Sequence, residues 1–213
     1  MYYATREATS SRWCVSVAVA DDPAGPFVDD SSEPWLCQHD HNGSIDPHPF
    51  VDADGTAYLL WQSQGIVGQE PTHLWAGRLA DDGLSIVPGS LRRLLTTSAA
   101  WEGDLIENPA MVAADGRYFL LYSANNWQTE QYAIGAALCE GPLGPCRRTS
   151  GGPLLASSGT MFGPGGPAPV VGPDGATYLG FHAWDGFVGY RGGGKRALYL
   201  RPLLAAGGRL TLG

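Results

Sequence analysis

Two carboxylates stand out by their settings: Asp46 in "GSIDPHPFVDADGTAYLLW" and Glu107 in "LIENPAMVAADGRYFLLYS". Each precedes an apolar run, an Asp-Gly pair and a second apolar run. Paired carboxyl groups that converge on a pocket suit glycoside hydrolysis, in which one protonates the leaving oxygen and the other activates water or attacks the sugar. Ile45 and Ile106 precede them, and partial desolvation by such neighbours raises a carboxyl pKa toward that of a general acid. The plainer reading of each is a loop charge at a strand mouth that only solvates a turn.

The elements that must position them come from a repeat. "DADGTAYLLW", "AADGRYFLLYS" and "GPDGATYLGFHAW" share an Asp-Gly followed by aromatic and aliphatic residues, with Gly55, Gly116 and Gly175 spaced by 61 and 59. Each predicts a β-hairpin whose turn needs positive backbone angles. A second match lays "VSVAVADDPAGPF" on "IGAALCEGPLGPC" and "YYAT" on "LYSA", both at an offset of 119.

Units of about 60 residues with three or four strands have the size of β-propeller blades. The chain therefore reads as one all-β domain, an incomplete propeller of about 3.5 blades. Its units are a partial blade at about 1–38, then about 39–99, 100–160 and 161–213. Aligning the turn glycines puts Asp46 on Glu107 and both on Gly166, where the small residue leaves room for a ligand. A turn motif would keep one residue type at that point, and the third unit does not.

Composition agrees. Glycine (30) and proline (16) exceed a fifth of the 213 residues, which suits short strands joined by tight turns. A net charge of -8 with no large basic cluster argues against nucleic-acid or acidic-lipid partners. No apolar run approaches the roughly 18 residues of a membrane-spanning helix, and the N-terminus lacks the pattern of a signal peptide.

Taken in order, "GSIDPHPFVDADGTAYLLW", "LIENPAMVAADGRYFLLYSANNW", "GPGGPAPVV" and "FHAWDG" resemble the third, fourth and fifth blades of family 43 glycoside hydrolases. "MYYATR…CVSVAVADDPAGPF" resembles the second blade from its middle strand onward. The resemblance implies a five-bladed propeller that cleaves α-L-arabinofuranosides, β-D-xylosides and related plant polysaccharides with inversion. It implies Glu107 as general acid, with Asp46 orienting it and raising its pKa. Asn108 follows the acid where many members carry a small residue. The family's general base, an aspartate of the first blade, has no counterpart here, because Asp21, Asp22, Asp29 and Asp30 read as turn residues. The alternative is a catalytically inactive, carbohydrate-binding propeller fragment. The resemblance also implies a calcium or sodium ion near the axis, held through His182. The competing reading of His182 is a core histidine bonded to a backbone carbonyl.

Candidate sugar contacts are Ile45, Gly166, Trp127 and Trp184; for the two tryptophans, burial in the core is the competing fate. Trp61, Trp75 and Trp101 read as packing or rim residues. Glu102 reads as a loop residue, since its repeat equivalent is His41. His39, His41 and His48 show no ligand spacing and read as bonding to substrate or solvent. Cys139 and Cys146 flank "EGPLGP", a turn that can bring their sulfurs together or leave them free; Cys14 and Cys37 read as buried thiols or a loose pair. Strand edges beside the absent blade predict self-association.

Overall fold

The computed structural model describes all 213 residues. A two-stranded sheet pairs β1 (Tyr2–Arg6) with β2 (Trp13–Val17). Three four-stranded antiparallel sheets follow. The first holds β3 (Ser44–Val51), β4 (Ala57–Ser63), β5 (His73–Arg78) and β6 (Arg92–Thr96). The second holds β7 (Ile106–Ala114), β8 (Arg117–Ala124), β9 (Ala133–Cys139) and β10 (Cys146–Arg148). The third holds β11 (Met161–Val171), β12 (Thr177–Asp185), β13 (Lys195–Ala206) and β14 (Arg209–Leu212). In each, strand order in space follows strand order in sequence, and β7 packs between β3 and β11. The first strands of the three sheets thus gather round one axis, as in an incomplete propeller of the five-bladed type.

The Asp-Gly pairs close all three hairpins, but not by one geometry. Between β7 and β8 the loop has two residues, Asp115 and Gly116, both at positive φ (52° and 65°), as a tight hairpin turn requires. The turns after β3 and β11 are longer, and the Asp54 and Asp174 carboxylates accept the backbone N–H groups of Thr56 and Ala176.

β8 is buried on both faces, and its side chains alternate between two cores. Leu120 and Tyr122 pack with Leu60, Leu74 and Met111 toward the first sheet. Phe119 and Leu121 pack with Leu179, Phe181 and Leu203 toward the third. Each such side chain contributes roughly 1.5–3 kcal/mol by leaving water. A smaller cluster of Leu59, Trp61 and Leu79 meets Tyr2, Trp35 and Leu36 from the partial sheet. The far side of the third sheet is uncovered, with Leu198 84% and Leu200 59% exposed.

The 119-residue offset holds to the residue. Val15 bridges Leu36 as Ile134 bridges Leu155, and Val19 bridges Val28 as Leu138 pairs with Arg147. By the same offset β1 corresponds to β8, so the partial sheet starts at a second strand. Both cysteine pairs are disulfides, Cys139–Cys146 across the turn and Cys14–Cys37. The expected free or loosely paired state of Cys14 and Cys37 is corrected: the bridge between Val15 and Leu36 holds the two cysteines beside each other, a proximity that their 23-residue separation does not announce.

Candidate active site

A small cleft of about 210 Å³ opens where the first strands meet, lined by Asp46, Pro47, His48, Asn108, Pro109, Gly166 and Pro167. Asp46, Asn108 and Gly166 each take a positive φ (55°, 49° and 64°) and each precedes a proline. Strand pairing jumps at the same place, between Ile45 and His48, between Glu107 and Ala110, and between Gly165 and Ala168. These bulges re-aim side chains toward the axis.

The bulges correct the register read from the turn glycines. Asp46 matches Asn108 and Gly166, whereas Glu107 matches Ile45 and Gly165. The two-residue turn after β7 and the longer turn after β3 reach their glycines by different counts, which displaces the alignment by one. Asp46 and Glu107 are therefore neighbours rather than equivalents. Asp46 Oδ2 accepts the backbone N–H of Asn108, the residue after Glu107, at 3.0 Å.

Burial pushes the Glu107 carboxyl up to about 7, and the nearby Asp46 charge adds to the rise, against a smaller pull from Tyr132 and Arg196. Burial also pushes Asp46 up to about 6, with the Asn108 N–H opposing. The phenol of Tyr132 touches both Glu107 Oε1 and, at 2.8 Å, Asn108 Oδ1. A phenol carries one proton, so it donates to one partner and accepts from the other, either a protonated Glu107 or an Asn108 amide turned to present Nδ2. With its pKa raised to about 7, Glu107 keeps its proton in a substantial fraction of molecules near neutral pH.

Gly165 and Gly166 both make room for neighbouring side chains. A Cβ on Gly165 would lie 1.8 Å from Tyr132 Cε1, and one on Gly166 would lie 2.6 Å from His182 Nε2. Gly166 itself lines the axial cleft, so its expected place beside a ligand is compatible with the structure. Gly166 also donates its N–H to Ser123 Oγ at 2.8 Å. Ile45 is half-buried at the position of the first sheet that Glu107 occupies in the second.

His182 accepts a hydrogen bond from Arg196 Nε at Nδ1, 2.7 Å. Arginine only donates, so Nδ1 is unprotonated and Nε2 carries the ring proton. Burial, then Arg196, pushes its pKa down to about 4. A calcium or sodium ion would meet no free imidazole lone pair and a guanidinium close by. The arrangement does not fit ligation by His182, and no step below is routed through an ion.

Trp184 is fully buried, and its Nε1 donates to the Trp127 carbonyl at 2.9 Å. Its expected sugar contact is corrected, because neighbouring side chains cover it. Trp127, 37% exposed, stacks over it at 6.1 Å between ring centres and offers its outer face to solvent, beside the exposed ring of Tyr190. Trp61 is buried and bonded to Gln38, Trp75 donates to Ser63, and Trp101 stacks on Tyr122. Glu102 is not a loop residue. It ends a 3-10 turn (Ala100–Glu102), fully buried on Arg148 and Tyr122. His39 bonds to Glu7 and His41 to Glu70 rather than to solvent; His48 alone lines the axial cleft.

Tyr132 and Arg196 went unnoticed in the sequence, since "TEQYAIG" and "GGGKRALYL" carry no spacing signal. The usable clue was the "GPGGP" run, whose Gly165 has space only for the Tyr132 ring.

An open propeller with a buried carboxyl of raised pKa beside a second carboxyl near its axis has the form of a sugar-cleaving propeller. The family model for glycosyl hydrolases family 43 matches residues 1–203, and the chain belongs to that family. It is 28% identical over 161 residues to an arabinoxylan arabinofuranohydrolase of Bacillus subtilis (strain 168), a match covering 70% of this chain and 31% of that protein. A thermostable family-43 glycoside hydrolase superposes on the whole chain and 70% of its own with a TM-score of 0.86 at 27% identity. An endo-1,4-beta-xylanase from Bacteroides thetaiotaomicron VPI-5482 does so over the same shares with a TM-score of 0.80 at 28% identity.

Proposed function

We propose that the chain belongs to an inverting glycosidase of arabinofuranosidase or β-xylosidase type, acting on plant cell-wall polysaccharides or oligosaccharides. Glu107 is the general acid, and Asp46 orients it and holds its pKa up. The observation that carries this reading is the buried Glu107 carboxyl, its pKa raised to about 7, beside Asp46 at the axial bulges. The names of the relatives support the substrate class.

In the reaction the Glu107 proton passes to the glycosidic oxygen as its bond to the anomeric carbon breaks. Water adds from the opposite face and gives its proton to a base about 6.5–9.5 Å from the acid. Asp46 is tied to the Asn108 backbone next to the acid and is the one carboxylate among the residues that line the cleft, which do not include Glu107 itself. We infer that residues 1–213 do not supply the base, which removes roughly 100- to 10,000-fold of the acceleration. That same observation favours the second reading, a fragment that holds a sugar without cleaving it.

Arabinosides and xylosides with unactivated leaving groups should therefore turn over slowly. Azide, which attacks the anomeric carbon without a base, should speed the release, and Glu107→Gln should abolish that rescue. Fast turnover without azide would refute the missing base, and turnover indifferent to Glu107→Gln would refute the acid. Binding of arabinoxylo-oligosaccharides with no turnover, with or without azide, would establish the second reading. The uncovered face at Leu198 and Leu200 also predicts association between copies. A monodisperse monomer in sedimentation would contradict it.

A further inference from the structure

His41, Glu70 and His73 come from three separate pieces of the first full sheet: the 3-10 turn before β3, the loop after β4, and the start of β5. Their donor atoms all lie within 4.8 Å of one another. Glu70 Oε1 is 2.5 Å from His41 Nδ1 and 3.6 Å from His73 Nε2. The His73 side chain is only 6% exposed, its Nδ1 has no partner, and its Nε2 points at Glu70 from beyond hydrogen-bonding reach. A buried imidazole with one nitrogen unpartnered and the other only loosely paired is costly in a finished structure.

We propose that His41, Glu70 and His73 form a binding site for a divalent transition-metal cation of the zinc class. Two imidazoles and one carboxylate are a zinc-type donor set, and a fourth position facing solvent can hold water. Calcium and magnesium prefer all-oxygen sets and fit poorly. Arms of about 2.0–2.1 Å at tetrahedral angles place ligand atoms about 3.3 Å apart, between the two contacts seen to Glu70. The partly exposed Glu70 and His41 side chains can close the remaining distance without moving the strand.

The backbone already frames the site. Gly65 N–H donates to the His41 carbonyl at 3.0 Å, and Ile66 and Glu70 exchange backbone hydrogen bonds at 2.8 Å, which fixes the loop that carries Glu70. Bound metal would staple this loop to the sheet. Thr72, beside His73, receives the N–H of Ile106 at 2.7 Å and donates to its carbonyl at 2.9 Å. The staple would therefore steady the entry to β7, one residue before Glu107. The proposal is independent of the glycosidase reading and survives its failure.

The test is calorimetric titration of the chelator-treated 213-residue chain with zinc chloride at about pH 7.5. One equivalent should bind in the micromolar range or tighter and raise the thermal midpoint. Cobalt(II) should show the visible bands of a four-coordinate ion with nitrogen and oxygen ligands. His41→Ala and Glu70→Gln, at partly exposed side chains that leave the fold intact, should each weaken zinc binding by at least about tenfold. His39→Ala, a neighbouring histidine outside the cluster, should bind as the parent does. Absence of binding, parental affinity in both cluster variants, or an equal loss in His39→Ala would overturn the site.

Discussion

Glu102 and Glu107 lie five residues apart, on either side of the entry to β7, and both are withdrawn from water. Glu102 accepts from the backbone N–H groups of Ser98 and Ala99, from the Tyr122 hydroxyl, and twice from Arg148. Those donors outweigh burial and hold its carboxyl below the usual glutamate value. Glu107 has one phenol and a second carboxylate for company, and burial wins. One glutamate is built to stay charged and hold two sheet ends together, the other to keep a proton. What separates them is the donors around each, not depth in the protein.

Breaking the first half of the contrast should have the largest effect. Arg148→Ala leaves a buried Glu102 charge without its partner and should cost about 3–5 kcal/mol in denaturant unfolding. A loss under about 1 kcal/mol would mean that the pair contributes no more than a surface ion pair.

The second half predicts the opposite behaviour with pH. Glu107 holds its proton more tightly when folded, so it contributes stability that is complete below about pH 4.5 and lost as pH rises through about 7. Glu102, with its lowered pKa, contributes stability present above the ordinary glutamate value and lost as pH falls below it. Glu107→Gln should therefore flatten the decline of the melting temperature across the neutral range and recover about 1 kcal/mol above pH 7, discounted for partial exposure. An unchanged pH profile would show that Glu107 is ionised at neutral pH.

The smallest effect sharpens the role of Asp46. Asp46→Asn removes a like charge and should let Glu107 titrate lower, by about one pH unit, as followed by carboxyl resonances in NMR. No change instead would make burial the sole cause and Asp46 a bystander.

Much of the fold was legible in the sequence. Asp-Gly pairs followed by aromatic and aliphatic runs mark the hairpins because the turn chemistry is local, and the 119-residue offset survives down to single bridges. The site was legible only in part. Asp46 and Glu107 could be singled out, but their register slipped by one because the loops have different lengths, and sequence shows neither a bulge nor which residue takes a positive φ. Trp184 and Trp127 read alike as candidates, and only packing separated the buried ring from the open one.

Local chemistry along the chain thus determined the hairpins, the blade count and the two axial carboxyl residues. Tertiary structure alone decided what state those groups are in. Tyr132 reaches Glu107 from 25 residues away, Arg148 reaches Glu102 from 46, and His73 meets His41 across the width of a sheet. Electrostatics falls off over a few ångströms of space and is indifferent to distance along the chain. The protonation of Glu107, the charge on Glu102 and the histidine cluster on the first full sheet therefore exist only once the sheets are packed.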